Sequence, residues 1–269
     1  MKIIKLILIL GFLTSCNSEP LEVYSELNSL RILDIAVNTP EVNTFDSPVT
    51  VNIQPLISDV NGGVASVDVT VDFCLDPGVS FGAEAKCDGS NATTQSFTPN
   101  AATLRTGVGP LFARSLVFPS AVFNLANDAA RFNGLAGLVT VTAVRGAETI
   151  KAFRRVLFSE KTSGLNNNPS ATDVLVNSGA WAVPTAVATV LAQITPGSAE
   201  SYQFKTENGD IRNLTEKLDV SWFASKGTFK YTRTDGDQNN EWTPESGSGV
   251  LVIVVRDGRG GSSHVIKSW

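Results

Sequence analysis

The chain has 269 residues, 42% of them hydrophobic, with 21 Lys and Arg against 26 Asp and Glu and a formal net charge of −5. That length suffices for one large domain or two of ordinary size. The acidic balance argues against nucleic acid and against adhesion to anionic lipid surfaces, both of which want clustered Lys and Arg.

A short basic start, Lys2 and Lys5, precedes the apolar run Leu6-Ile7-Leu8-Ile9-Leu10-Gly11-Phe12-Leu13. The run is too short to span a bilayer, which needs about 20 apolar residues, and the layout is that of a secretory signal peptide. Its end, Leu13-Thr14-Ser15-Cys16, resembles the bacterial lipobox: a branched residue, two small residues and a cysteine at the right distance from the signal. The resemblance implies cleavage of residues 1–15 and lipidation of Cys16, the one covalent group expected on the chain. Several acyl chains, at about 0.8 kcal/mol per buried methylene, hold a protein where one does not. Asn17 follows where an aspartate would favour retention in the inner membrane, so the implied address is the outer membrane. The expected membrane contact is this lipid anchor alone.

With Cys16 set aside, Cys74 and Cys87 form an even pair in an oxidising compartment, within a turn-rich stretch of Asp76-Pro77-Gly78 and Asp88-Gly89-Ser90. A disulfide between them is expected, stabilising by about 3 kcal/mol in the chain-entropy model. A metal site there would need further Cys or His ligands, and the one histidine is His264 near the C-terminus.

Residues 16–29 read as a lipidated N-terminus and polar tether, about 45 Å long when the thirteen residues after the cysteine are fully extended. The hydrophobic period then becomes two. Leu30–Val37, Val49–Leu56 and the strictly alternating Val67-Asp68-Val69-Thr70-Val71-Asp72-Phe73 predict half-buried strands. Pro119–Asn133, with Gly134 just past its end, predicts one short helix. Leu138–Val144, a turn at Arg145-Gly146-Ala147-Glu148 and Thr149–Phe158 predict a closing hairpin. The polar stretch at residues 161–170 reads as a linker crossed by few contacts, separating a first domain at 30–160 from a second at 171–269. In the second, strands are expected at Thr172–Val176, Val187–Ile194, Ser201–Lys205, Leu218–Phe223, Thr228–Thr232, Val250–Val255 and His264–Trp269. Seven short strands in such a span fit the immunoglobulin-like sandwich.

The ending Val250-Leu251-Val252-Ile253-Val254-Val255-Arg256-Asp257-Gly258-Arg259-Gly260-Gly261 resembles the closing strand and turn of bacterial cadherin-like and PKD-like modules. Val220-Ser221-Trp222-Phe223 resembles the strand that carries a core tryptophan in such folds. Both halves are also similar to envelope lipoproteins of predatory and environmental bacteria, a likeness that transfers no activity. The fold expected is therefore all-β: two tandem immunoglobulin-like sandwiches, the first with a loop-rich insertion.

Chemistry-bearing motifs are few. Asp235, Asp237, Asn239 and Glu241 offer oxygens at alternate positions and are weak calcium candidates, set against a solvated hairpin loop between Tyr231 and Trp242; an EF-hand would need glycine and glutamate where Asn240 and Ser246 stand. Asp59, Asn61 and Asp68 read as turn and strand surface. Ser-His-Asp catalysis would need His264 as its base, and no Gly-x-Ser-x-Gly elbow is expected to present a nucleophile. Neither Gly107-Val108-Gly109 nor Gly258-Arg259-Gly260-Gly261 completes a phosphate-cradling loop, so no nucleotide is expected. Trp222 reads as core, and Trp181, Trp242 and Trp269 as packing more than contact residues. The function expected is a non-enzymatic binding, adhesion or structural module meeting an envelope protein or glycan, with the Cys74–Cys87 loop and the segment behind it as first choice for the contact. The rival is a glycan-directed envelope hydrolase whose carboxylate pair is not visible in sequence.

Mass spectrometry of the mature protein is expected to find an N-terminal acylated Cys16, and Cys16→Ser to release the protein from the membrane fraction. A bare amino terminus or an attached leader would refute the anchor.

Overall fold

The computed structural model describes residues 24–78 and 84–269; Cys16, the leader and the first part of the expected tether lie outside them. The first half contains β1 (Arg31–Val37), β2 (Glu41–Val42), β3 (Pro48–Ser58), β4 (Val67–Leu75), β5 (Thr93–Phe97), β6 (Thr106–Val108) and β7 (Phe112–Val117). Two short helices follow, α1 (Ser120–Phe123) and α2 (Asp128–Asn133), then β8 (Leu135–Arg145) and β9 (Glu148–Phe158). One sheet joins β1 and β3, with β6 and β7 successively pairing β3; the other runs β2-β9-β8-β4-β5. The chain changes sheet at Pro40: β1 lies antiparallel to β3, and β2 parallel to β9. In immunoglobulin lettering the order is A-B-E against A′-G-F-C-C′.

The alternation of β4 sends Val67, Val69, Val71 and Phe73 into the core against Val51, Ile53 and Phe112 of the facing sheet. The β8–β9 hairpin turns tightly at Gly146, whose φ of +59° suits a two-residue turn, with Arg145 opposite Glu148. The expected single helix over Pro119–Asn133 is two. Asn127 starts the second as its N-cap, its side-chain oxygen accepting from Ala130 N at 2.8 Å, and a cap inside the run offers the backbone an alternative to continuing the first.

The second half contains β10 (Ala171–Val176), β11 (Ala188–Ile194), β12 (Ser201–Lys205), β13 (Ile211–Thr215), β14 (Asp219–Ala224), β15 (Thr228–Phe229), β16 (Arg233–Asp235), β17 (Asn240–Thr243), β18 (Val250–Arg256) and β19 (Ser262–Ser268). Its sheets run β10-β11-β17-β15 and β16-β14-β18-β19, the A-B-E and C-F-G layers of an immunoglobulin-like sandwich, each with one short further strand at an edge. Trp222 sits on the C strand, fully buried, its indole N–H donating to Thr234 Oγ1 at 2.9 Å. Trp242 is fully buried, and Trp181 and Trp269 pack on it with ring centroids at 5.9 and 5.3 Å.

Two expectations fail here. Ser201–Lys205 is not a sandwich strand: it pairs with β13 in a hairpin of its own, inserted between B and C. Tyr231 and Trp242 do not flank a hairpin loop, because β16 joins one sheet and β17 the other, so residues 236–239 cross between layers.

The two sandwiches are packed side by side. A third apolar cluster joins Leu33 and Leu56 of the first to Phe223, Val250, Val252 and Val254 of the second. The presumed tether contributes as well: Leu27 N donates to Ala224 O and Ala224 N to Ser25 O, both at 2.9 Å, and Leu27 is buried in the same cluster. Residues 24–29 are thus laid along the end of β14 instead of hanging free.

Trp222→Ala is expected to cost about 3–5 kcal/mol through the cavity it leaves, read as a lower denaturation midpoint in urea. A loss under 1 kcal/mol would show that the C strand does not anchor this core.

Candidate binding cleft

The outer face of the β2-β9-β8-β4-β5 sheet carries the residues that alternation turns away from the core. Cross-strand register sets Asp72, Thr140 and Phe153 in one row and Thr70, Thr142 and Lys151 in the next. Over these rows folds the loop after β4, fixed by the Cys74–Cys87 disulfide, whose Cα atoms are 5.7 Å apart. Ion pairs fasten the loop to β9, Asp76 to Arg155 and Glu84 to Lys151, each at 2.6 Å. Asn91 Nδ2 donates to Phe73 O at 3.1 Å and to Ser115 O at 3.0 Å. Exposed pairs like that of Glu84 contribute little singly; the covalent link makes the attachment durable. The Lys151 ammonium, through a hydrogen bond and its charge, holds the Glu84 carboxyl below its ordinary value. Residues 79–83 of this loop lie outside the described residues.

Between loop and sheet is a cavity of about 430 Å³ whose lining includes Asp72, Thr140, Thr142, Lys151 and Phe153. Asp72 is 4% exposed. Its Oδ1 accepts from Phe73 N at 2.8 Å, while its Oδ2 has no hydrogen-bond partner among the described residues. Phe153, by contrast, is 49% exposed, with the Arg155 guanidinium 5.2 Å from its ring centre. A buried acceptor left unmatched costs about 1–3 kcal/mol, more when charged. Sequence reasoning read Asp68 of β4 as surface and did not single out Asp72; the available signal was that Asp72 and Cys74, two apart, share a strand face, placing any loop stapled at Cys74 over Asp72.

A second group of buried charges lies where the sandwiches meet. Asp34 accepts from Arg154 Nη2 at 2.9 Å, has the Ser262 hydroxyl 2.9 and 3.0 Å from its oxygens, and has His264 Nδ1 at 3.5 Å. Glu41 accepts from Ser159 Oγ (2.6 Å), Lys161 Nζ (2.9 Å), Asn166 N (2.9 Å) and Arg259 Nη2 (2.7 Å). Arg259 also donates to Glu216 Oε1 at 2.9 Å and lies 4.2 Å from the Tyr202 ring centre. Residues 161–170, expected as a linker with few contacts, supply the buried Lys161 and Asn166. The Gly-rich turn after β18 delivers Arg259, and His264, part-buried on β19, faces Asp34. Asp59, also read as surface, is buried between Arg105 and Arg145.

The calcium candidates do not converge. Glu241 pairs with Lys230, Asp235 and Asp237 are exposed, and among the described residues no three His, Cys, Asp or Glu side chains form a metal-sized group. Asp235 and Asp237 do share a hollow of about 600 Å³ with Glu216. Burial pushes the Glu216 carboxyl up, yet both its oxygens are engaged, by Arg259 and by Glu200 N at 3.0 Å. Gly78-Val79-Ser80-Phe81-Gly82 has the spacing of a nucleophile elbow, which sequence reasoning missed. Only Gly78 of the five is among the described residues, and residues 84–92 lead into β5 instead of the helix such an elbow requires.

No family model matches the sequence, and no curated protein matches it. Among solved structures the chain is similar to dimeric latent PorU from Porphyromonas gingivalis, at 9% identity over 89% of this chain and 24% of that one, with a TM-score of 0.21. It is similar too to the neural ectodermal development factor IMP-L2, at 8% identity over 92% and 96% of the two chains, with a TM-score of 0.21. This chain thus spans about a quarter of the PorU chain.

Burial opposes ionisation of Asp34, but His264, Arg154 and Arg256 outweigh it and hold its carboxyl below the ordinary 3.8. A carboxyl depressed in the folded state stabilises above its unfolded value, and the gain is lost as pH falls through the folded one. Asp34→Asn, which leaves Arg154 without its counter-charge, is expected to cost about 3–5 kcal/mol at neutral pH. It should also flatten the stability loss below pH 3.8. Urea titrations at several pH values check both; an unchanged acid limb would remove Asp34 as its source.

Proposed function

We propose that this chain is a lipid-anchored cell-envelope protein, held at the outer membrane through Cys16 and working as a non-enzymatic binding module. The reading is carried by one observation: a cleft between a sheet face and the segment stapled to it by Cys74–Cys87, with the half-exposed ring of Phe153 in its lining. Immunoglobulin-like sheets serve this role by holding loops in fixed positions without moving parts. The leader and lipobox support the address, and the acidic balance leaves membrane attachment to the acyl group.

The glycan-directed hydrolase receives less support. It needs two carboxylates facing one bond, about 5 to 9.5 Å apart, with one free to donate a proton. Glu216, the buried carboxylate beside Asp235 and Asp237, is committed through both oxygens to Arg259 and to Glu200 N.

The test is retention from detergent-solubilised envelopes on the immobilised full-length protein, compared with Thr140→Trp, which fills the cleft from its floor. A component held by the wild type and lost with Thr140→Trp is the expected result. Equal retention by both would move binding elsewhere, and no retention by either would defeat the module reading.

A further inference from the structure

We propose that β13 is the edge through which two copies of this chain pair, antiparallel about a twofold axis at Asn213, joining their β12–β13 hairpins into one four-stranded sheet. The pairing goes beyond the binding-module reading and draws on it only for the membrane that confines the copies.

Backbone phase defines the edge. At the turn of the hairpin Thr206 N donates to Asp210 O, and at its other end Glu216 N donates to Glu200 O, both at 2.9 Å. Antiparallel pairs alternate between bonded and non-bonded, so Phe204–Arg212 and Tyr202–Leu214, in register between these ends, are the bonded pairs. Ile211, Asn213 and Thr215 therefore turn their N–H and C=O groups away from β12. None of these groups has a hydrogen-bond partner among the described residues, where β12 and β13 form a sheet of two strands. The opposite edge is treated differently. The Asn133 carboxamide accepts from Lys205 N at 2.9 Å and donates to Lys205 O at 2.8 Å, standing where a third strand would.

All five residues of β13 are exposed. Ile211 is 47% and Leu214 38% exposed, and Phe204, across the hairpin, is 39% exposed. A two-stranded hairpin is marginal by itself, and an uncovered edge is a template for another strand. Natural edges are blunted by lysine, proline or a bulge. β13 has none of these, and its one charge is Arg212.

Register selects a second copy as the occupant. With Asn213 on the axis, Ile211 of each copy opposes Thr215 of the other and Asn213 opposes itself, so every outward group of both strands is matched. Arg212 then lies opposite Leu214 of the second copy, on the face that carries Tyr202 and Phe204, and these apolar neighbours cover its aliphatic stem. Moving the axis to Arg212 sets two guanidinium groups directly opposite, which is destabilising, and leaves Thr215 outside. Moving it to Leu214 puts Ile211 against Lys217, beyond the strand. With the axis at Asn213, Asp210 falls opposite Glu216 of the second copy, whose carboxylate oxygens are already held by Arg259 and Glu200 N. An edge contact of this length is small beside the about 1,200–2,000 Å² of stable interfaces. The pairing is therefore weak in free solution and gains from confinement of both copies to one membrane.

The experiment is mild oxidation of Asn213→Cys in the full-length protein in envelope membranes. The Cα atoms of a bonded antiparallel pair are about 5.5 Å apart, within disulfide reach, so a covalent dimer on a non-reducing gel is expected. Gln203→Cys, also exposed and directly across the hairpin, puts its two thiols three strand spacings apart, about 14 Å, and should remain monomeric. Asn213→Pro removes an N–H that the hairpin does not use, and proline is tolerated at such an edge. It is expected to weaken self-association about tenfold or more in sedimentation of the detergent-solubilised protein, with circular dichroism unchanged, because the opposing carbonyl loses its donor.

Equal cross-linking at positions 203 and 213 would overturn the assignment, as would self-association indifferent to Asn213→Pro or a protein that is monomeric in both membranes and detergent. If pairing fails while Cys16→Ser still frees the protein from the membrane fraction and Thr140→Trp still abolishes retention, the anchored-module reading stands without it. If the protein is not membrane-bound at all, sedimentation alone decides the pairing.

Discussion

Strand β18 is buried on both faces, and the arrangement of the molecule follows from that. Leu251, Ile253 and Val255 enter the core of the second sandwich, while Val250, Val252 and Val254 turn outward to meet Leu33 and Leu56 of the first. Each such side chain contributes about 1.5–3 kcal/mol when fully buried. An antiparallel sheet of this kind usually keeps one face in water. Here the outer face is apolar, so a second body must cover it, and the first sandwich does. The residues entering the fold, including Leu27, are drawn into the same seam.

Covering that face forces charges out of water along its border. Asp34 and Glu41 both lie on the strand that switches sheets in the first sandwich, and both are buried. Moving a carboxylate into the interior costs several kcal/mol even after relaxation, and the cost is recovered only when every lone pair finds a good donor. Each of the two is met by donors from the other sandwich: Ser262 for Asp34, Arg259 for Glu41. Residues between the sandwiches complete the set, with Lys161 and Asn166 on Glu41, while Asn168 bridges Val37 O and Ser262 N. The apolar contact brings the sandwiches together. The ionic contacts discriminate among ways of placing them, because sliding one past the other would strand a carboxylate. Burial pushes the Asp257 carboxyl up, consistent with a turn whose acid is held by the backbone N–H groups of Arg259 and Gly261 and lacks a full counter-charge.

Much of the architecture was legible because it depends on local period. The alternation of Val67–Phe73, the Arg145–Glu148 turn and Trp222 on its strand all fall where pattern placed them. The missed strands are short or exposed: Thr93–Phe97 carries almost no apolar signal, and Glu41–Val42 is two residues long. The hairpin at Ser201–Lys205 has strand composition without a sandwich partner, which no local pattern can reveal. The unbroken apolar run of Val250–Val255 did hold the missing information. Lack of alternation in an antiparallel strand means two covered faces, and reading it so would have predicted the packed sandwiches and denied the linker its freedom. The buried carboxylates were illegible for the opposite reason: Asp34, Glu41 and Asp59 look like surface until their arginines arrive from more than forty residues away.

The same contrast sets Asp72 apart. Buried acids in this protein are matched as a rule: Asp34 by Arg154, Glu41 by Lys161 and Arg259, Asp59 by Arg105 and Arg145, Glu216 by Arg259. Asp257 also keeps one unmatched oxygen, and burial pushes its carboxyl up. Asp72 opens on a cavity with Lys86 and Lys151 in the lining, yet neither ammonium bonds its Oδ2. Among the described residues Lys151 is paired with Glu84 instead. The Asp72 Oδ2 is enclosed without a hydrogen-bond partner among the described residues, and the covalent staple two residues away fixes the chain beside it.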